Sequence, residues 1–353
     1  MPEAVLSTRA LNRALLARQF LLERSDQSIG GVLESVGGLQ TQYAPSGYIG
    51  LWSRMHGFEG AQLTEALESR RVIQGTLMRA TIHMVSAADY WPMEIALRTA
   101  RREWWLRVAA SQIKGLDPDG LERAIGDELA DGPLRQKELS SRLKQRGYDG
   151  PQSGINILAD IVRVPPSGTW NQRRADLYGL AADWLPPPRH VTERDGVELL
   201  IRRYLGGFGP AAVADVANWM GVNIGFVKEV AATLELRFFR GEGGRAMVDL
   251  PEAPLPDAET PAPARFLPVW DTTLLVHARR TLILPEEFRP RVFNTKTPHS
   301  VNTFLLDGQV AGTWRYEERA LSLEPFRRLT LAERAALDDE AQRLEAFHTA
   351  GVA

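Results

Sequence analysis

The feature that most constrains this fold is an order of elements that recurs three times in the first 250 residues. In each copy, stretches with helical periodicity lead into a pair of short β-rich segments. The copies are predicted over residues 8–85, 91–177 and 195–250. Helices followed by a hairpin are typical of winged-helix units, so the sequence predicts a tandem array of them. The repeat is inferred from element order because the copies share few residues.

Capping and turn residues divide the first copy. Residues 25–28 are predicted to separate two amphipathic helices, and Gly37 with Gly38 to end the second. Residues 45–47, a Pro-Ser-Gly triplet, predict a turn. The remaining elements of this copy are helices at residues 50–55 and 62–69, then a strand pair within 72–85.

The other copies and the C-terminal part follow the same logic. The second copy is predicted to have helices at 91–110, 121–130 and 135–146, and a return strand at 169–177. The third has helices at 195–205, 211–220 and 224–233, and a hairpin of 235–240 with 245–250. Beyond these come β-rich sequence at 266–284 and 301–315 and a helix at 331–347.

We therefore predict an α+β fold class: mainly α with β wings, made of tandem winged-helix units followed by a β-rich C-terminal region. The three prolines at 186–188 are the clearest linker signal. The predicted divisions are residues 1–115, 116–188, 189–250 and 251–353.

Composition excludes several classes of protein. No run of about 18 apolar residues exists, and arginines interrupt the first 20 residues, so we expect neither a membrane span nor a secretory signal but a cytoplasmic protein. The chain has no cysteine, and its 6 histidines lack metal-ligand spacing, so we predict no metal site.

Charge alone does not identify a partner. The net charge of −2 gives no overall basic field, although a small basic surplus lies in residues 1–115. Arginines far outnumber lysines, and the planar guanidinium suits phosphates and base edges. Genomic base composition can also favour arginine, so both explanations stay open.

Gln40-Thr41-Gln42, just after the glycine pair, is the most informative local motif. Side chains two residues apart face the same way only where the chain is extended or irregular. A glutamine amide donates and accepts hydrogen bonds but does not titrate, so it can hold water without acting as a strong base. Such chemistry suits a leaving group that is already activated, such as an alkylated purine cation. Alone, such a motif is more often a surface or capping pair.

The motif stands in a context that resembles a known family. Residues 39–42, 51–54 and 77–86, and later positions around 170–184, 208–219 and 306–315, are similar to the AlkZ/YcaQ-like DNA glycosylases. The likeness covers nearly the whole chain. It implies tandem winged helices that form a concave DNA-binding surface, and excision of bulky or cross-linked alkylpurines by hydrolysis of the N-glycosidic bond.

The resemblance also implies residue roles. Gln40 and Gln42 would position the water and stabilise the developing sugar cation, and Gln42 places the chain in the glutamine–glutamine branch of the family. Thr41 departs from the usual apolar middle residue, and a buried hydroxyl needs a partner.

Further DNA-binding candidates surround the motif. Arg79, Thr81 and His83 alternate along a predicted strand and so share one face. Arg54 and Arg79 are candidate phosphate clamps, with a solvated or ion-paired surface as the alternative. His83 is a candidate contact to a phosphate or the lesion, or else a structural histidine.

Two other arginine groups are candidate DNA contacts. On a predicted helix, three arginines and two tryptophans combine charge with aromatic surface: Arg98, Arg101, Arg102, Trp104 and Trp105. They would lie along a DNA backbone, or the tryptophans are core anchors. Arg279 and Arg280 would probe a groove from a hairpin tip, or are simply exposed charges there.

The leading hypothesis is a monomeric, monofunctional DNA glycosylase without a cofactor, acting on double-stranded DNA that contains alkylpurine lesions. General repair and self-resistance to a genotoxin both stay open, and base extrusion is possible but not required. The alternative is a non-enzymatic winged-helix transcription regulator or architectural DNA-binding protein, which predicts sequence-specific duplex binding and dimer symmetry.

Overall fold

The computed structural model describes residues 4–149, 154–188, 190–275, 281–293 and 300–350. Its helices are α1 Thr8–Arg18, α2 Ile29–Val36, α3 Ala44–Arg54, α4 Gly60–Glu68, α5 Ala87–Val108, α6 Pro118–Leu129, α7 Gln136–Gln145, α8 Ile155–Leu158, α9 Ala181–Trp184, α10 Glu193–Phe208, α11 Val213–Met220, α12 Ile224–Ala231, α13 Thr272–Leu275, α14 Arg289–Val292 and α15 Leu331–Ala350. Its strands are β1 Ala4–Leu6, β2 Leu39–Gln40, β3 Val72–Thr76, β4 Ile82–Ser86, β5 Leu134–Arg135, β6 Ile161–Arg163, β7 Leu177–Leu180, β8 Arg237–Gly241, β9 Ala246–Asp249, β10 Arg265–Leu267, β11 Thr303–Leu306, β12 Gln309–Glu317 and β13 Ala320–Pro325.

The predicted order of elements is present in all three copies. Helices α2 to α4 precede the hairpin β3–β4, α6 to α8 precede β6–β7, and α10 to α12 precede β8–β9. The α+β class and the β-rich C-terminal region are confirmed. None of the helices described is both long and apolar enough to cross a membrane.

The hairpins are joined across the copies. The first two share one six-stranded sheet in the order β2-β4-β3-β6-β7-β5, because β3 pairs antiparallel with β6. The third hairpin takes the N-terminal strand β1 as a parallel neighbour of β8. The C-terminal region is a separate four-stranded antiparallel sheet, β10-β11-β12-β13. The copies therefore form one continuous structure, in which β2 sits at an edge of the largest sheet.

Burial follows the same plan. One apolar cluster combines side chains from α1, β3, β4, α5 and α10 to α12 with residues between Leu267 and Val310. A second joins α2 to α4 to the C-terminal sheet and α15, and a third fills the second copy around α6 and α7. Helices from separate copies thus bury their apolar faces against one another, which fixes their relative positions.

Several predictions of local structure were wrong. Residues 45–47 form no turn but the first turn of α3, because Pro45 near a helix start loses only an N–H that has no helical acceptor. The return strand is Leu177–Leu180, and residues 169–176 are irregular because Ser167 accepts from the N–H groups of Asp176 and Leu177. Of the described residues within 266–284, which are 266–275 and 281–284, only Phe266 and Leu267 belong to a strand.

Candidate active site

Two glycines direct the chain from α2 into β2. Ser28 caps the start of α2 by accepting from the Gly31 N–H, and Gly37 ends it with φ of 75°. Gly38 follows with φ of 79°, and a Cβ there would lie 2.9 Å from Val85 Cγ1. Left-handed backbone in a tight space explains why glycine occupies both positions. The residue after this bend, Leu39, begins the edge strand that carries the motif.

Gln40 lies on β2 directly opposite His83 of β4. Its side chain is only 7% exposed, and its Oε1 accepts a hydrogen bond from Arg79 Nη2 at 3.3 Å. Because a carbonyl oxygen must face this donor, the NH₂ end of the amide points the other way. That end has no hydrogen-bond partner in the described part of the chain.

Gln42 is exposed and lies just past the end of β2. The Thr41 N–H donates to the Ile82 carbonyl at 2.8 Å, and Gln42 Oε1 then accepts from the Ile82 N–H at 2.9 Å. The side-chain amide thus continues the ladder between β2 and β4 in place of a backbone carbonyl. Both glutamine oxygens are consequently held at the start of β4, by Arg79 and by Ile82.

Thr41 points into the protein, away from the two glutamines. Its side chain is 1% exposed and packs against α3, where a Cβ on Gly47 would lie 3.0 Å from Thr41 Cγ2. Its hydroxyl has no partner in the described structure, as expected for a polar group where the related family has an apolar one. The Thr41 carbonyl accepts from Arg163 Nη1 at 3.0 Å, which ties the motif to β6.

Arg79 reaches Gln40 from a strained turn. It has φ of 53° within the single 3₁₀ turn Met78–Ala80, and Ala80 has φ of 54°. The prediction that Arg79 belongs to an alternating strand is therefore wrong, since β4 begins at Ile82. No carboxylate partner of Arg79 lies among the described residues, and burial lowers the pKa of its guanidinium to about 10. Strain of this kind is common at functional sites.

His83 is sealed inside the sheet with 0% exposure, so the prediction that it contacts DNA is wrong. Its Nδ1 lies 3.0 Å from the Thr81 carbonyl, which only accepts, so Nδ1 carries the hydrogen. Desolvation, and then the charge of Arg79, lower the pKa of His83 to about 3. His83 is thus a neutral residue under the site, which is the structural alternative. Thr81 is half-buried and donates to the Met78 carbonyl at 3.0 Å, and its contact with DNA stays a prediction.

Arg54 does not belong to this site. Its side chain is fully buried and forms an ion pair with Asp271, at 3.0 Å from Nη1 and 2.9 Å from Nη2. Because the Arg54 guanidinium is buried and paired with a carboxylate, it cannot reach a phosphate. The prediction that Arg54 clamps DNA is therefore wrong. Arg279 and Arg280 lie outside the described residues.

Three arginines of α5 are engaged in ion pairs. Arg98 pairs with Asp160, Arg101 with Glu94, and Arg102 with Asp119 and Glu122. Trp104 and Trp105 of the same helix differ in exposure. Trp105 is a core anchor at 1% exposure, whereas the side chain of Trp104 is 42% exposed.

A cleft of about 570 Å³ opens beside Arg79. It lies between the Met78–Ala80 turn, the C-terminal half of α5, and the turn from Met220 to Asn223 that joins α11 to α12. Trp104 and Arg107 stand on its α5 side. We call it the Trp104 cleft. The sequence did not predict the wall formed by residues 220–223, because nothing in their local pattern indicates that they face α5.

The chemistry available here is that of two oriented, uncharged amides. Each oxygen keeps a second lone pair, which can face a developing cation, and each NH₂ group keeps its donors, which can hold a water molecule. No group of three or more acidic or histidine side chains in the described residues is arranged to hold a metal ion. The NH₂ groups and remaining lone pairs are the features that Gln40 and Gln42 offer to a mechanism.

Comparisons with known proteins extend over almost the whole chain. Residues 33–347 match the family model described as DNA glycosylase AlkZ-like. An interstrand DNA cross-link repair glycosylase from Streptomyces sahachiroi is 23% identical over 337 residues, or 88% of each chain. The solved structure of Streptomyces sahachiroi DNA glycosylase AlkZ aligns with a TM-score of 0.79 at 20% identity, covering 99% of this chain and 97% of that one. The matched segment takes in both glutamines and the Trp104 cleft.

Proposed function

Because the chain belongs to the AlkZ-like DNA glycosylase family, we propose that Gln40 and Gln42 are its reaction centre and that its substrates are alkylated purines in duplex DNA. Family membership makes it a DNA glycosylase and favours an enzyme over the transcription regulator considered above. The substrate class and the catalytic residues are the proposal.

The observation that carries the proposal is the fixed orientation of the two amides. Arg79 and the Ile82 N–H hold both Oε1 atoms at one end of β4, so the amides are arranged before a substrate arrives. Preorganised dipoles stabilise a transition state without reorganisation. Amides that rotate freely would offer no such advantage.

In the proposed reaction the bond between C1′ and the purine nitrogen breaks, and its electron pair neutralises the cationic alkylated ring. A glutamine-held water adds its oxygen to the oxocarbenium-like C1′ and loses a proton to solvent. The amides orient this water and face the sugar cation, but they accept no proton, because an amide does not titrate. This explains why the substrate must carry its own positive charge.

The relative named as an interstrand cross-link repair glycosylase supports bulky and cross-linked adducts as substrates. We propose that the protein acts as a monomer in the cytoplasm, and that Arg79 and Thr81 approach the DNA beside the lesion. Both residues are half-buried at the start of β4, next to the glutamines.

The test is excision from oligonucleotides that carry 7-methylguanine or a cross-linked purine, read out as strand nicking after alkali. Gln40→Ala and Gln42→Ala are each expected to lower the single-turnover rate by about ten- to a thousandfold, the cost of losing one preorganised contact. Gln145→Ala, at the exposed end of α7, is the matched control and should keep the wild-type rate.

Duplex affinity is measured alongside the rates. Unchanged rates in both glutamine variants would remove these residues from the mechanism. Tight binding of undamaged duplex without any nicking would favour the regulator instead.

A further inference from the structure

Trp104 is an unusual surface residue. It is 42% exposed, and its indole has no hydrogen-bond or ring partner in the described structure. Its neighbour Trp105 already fills the core position of this helix turn. An exposed aromatic ring beside a cleft with apolar walls is common at binding surfaces.

The Trp104 cleft adjoins the proposed reaction centre through one residue, Arg79. Arg79 lines the cleft and also donates to Gln40 Oε1 at 3.3 Å. A group bound in the cleft would therefore be separated from the Gln40 amide by the Arg79 side chain alone. An adduct projecting from a purine can span such a distance while its sugar stays at Gln40.

The lining of the cleft favours a flat, apolar ring system. Leu97, Met220 and Val222 supply apolar walls, and Trp104 supplies an aromatic face. Arg79 and Arg107 border the same space, and an arginine guanidinium can lie over a ring face. Arg101 is neutralised by Glu94, and Glu103 adds a negative charge at the rim, so the cleft is not simply a phosphate site. Its volume lies within the range of small-molecule sites.

We propose that the Trp104 cleft binds the planar aromatic part of a purine adduct, stacked on Trp104, while Gln40 and Gln42 act on the glycosidic bond. The proposal rests on the proposed function and adds the substrate class, namely adducts that carry fused or single aromatic rings. Stacking on Trp104 would let the enzyme select such adducts without reading the DNA sequence.

The test is a graded series of duplexes containing 7-methylguanine, 7-benzylguanine or 7-(naphthylmethyl)guanine, each also prepared as a 2′-fluoroarabino analogue that resists hydrolysis. Affinity for the analogues and excision of the natural sugars are measured separately. Trp104→Ala should weaken binding of the naphthylmethyl duplex by about 5- to 150-fold, the value of one aromatic stack. The loss should be smaller for benzyl and smallest for methyl.

Two further variants sharpen the result. Trp104→Phe keeps an aromatic face and should restore most of the lost affinity. Phe238→Ala removes another exposed aromatic ring, on β8 and outside the cleft, and should bind all three duplexes as the wild type does.

The outcomes separate the two proposals. An equal loss for all three adducts, or none, overturns the stacking role of Trp104, while excision by the wild type upholds the proposed function. A wild type that binds the duplexes but excises none of the three overturns both.

Discussion

At the scale of single residues, the site depends on which way the oxygen and the NH₂ group of each glutamine amide point. Gln40 and Gln42 are neutral. Without a neighbouring donor or acceptor, the two orientations that exchange the amide oxygen and nitrogen would have the same energy. Arg79 and the Ile82 N–H remove that freedom because both are obligate donors. Arg79 is therefore a positioning residue in this mechanism, and its left-handed backbone is the strain that brings it there.

His83 provides a prediction on pH and stability. Its folded pKa is lowered to about 3, whereas an unfolded histidine titrates near 6.5. Below about pH 6.5 the unfolded chain binds a proton that the folded chain does not, so the free energy of unfolding falls as the pH falls towards 3. The contribution of His83 is about 1.4 kcal/mol per pH unit inside this window. Urea denaturation at pH 6.5, 5.5 and 4.5 measures it.

The comparison variant is His83→Asn, which should show a shallower loss of stability with acid because the buried titrating group is gone. His56→Asn changes an exposed histidine and should keep the wild-type slope. Identical slopes for wild type and His83→Asn would show that His83 is protonated in the folded protein.

At the scale of elements, the sequence predicted most helices and hairpins because their signals are local. Ser28 and Gly37 bound α2 as capping chemistry requires, and the alternating residues of β3 and β4 pair as expected. Pro45 misled the prediction because the same residue favours both turns and helix starts.

The candidate site was predicted in part. The two glutamines follow from the motif, but the partners that orient them do not. Arg79 has an unexpected positive φ, and Ile82 acts through its backbone, so neither leaves a side-chain pattern. Arg54 and His83 were misplaced because burial against distant chain segments, such as Asp271, is invisible in local sequence.

Gly38 yields the prediction at this scale. Gly38→Ala places a Cβ at positive φ and 2.9 Å from Val85 Cγ1, so β2 must shift away from β4. Gly57→Ala meets the same unfavourable φ, at 57°, with nothing within 4 Å, and is the matched control. Both variants lose about 1–2 kcal/mol from backbone strain. Gly38→Ala should lose more in urea denaturation and should also slow excision, because Gln40 moves with β2. Equal stability and equal rates in the two variants would contradict this account.

At the scale of the whole molecule, ion pairs join copies that the sequence would place apart. Arg18 of α1 pairs with Asp249 of β9 at 2.6 Å, and both side chains are fully buried. Arg203 of α10 bonds to Glu34 of α2 at 3.0 Å and to Asp89 of α5 at 2.8 Å. Because these contacts and the shared apolar cluster join the copies, we expect the array to unfold as one body rather than as separate units.

Cooperative unfolding is the consequence that can be measured. Asp249→Asn leaves Arg18 buried without a counter-charge and weakens the contact with Arg237, which lies 2.7 Å from the same carboxylate. Removing one partner of a buried pair costs about 3–5 kcal/mol, so the midpoint of urea unfolding should drop markedly. Glu198→Gln breaks an exposed pair with Arg202 on α10 and should change stability by less than about 1 kcal/mol.

If the copies share one core, far-ultraviolet circular dichroism and tryptophan fluorescence will report the same single transition in every variant. Separate transitions, or a shift of Asp249→Asn in only one signal, would mean that the copies fold independently despite these contacts.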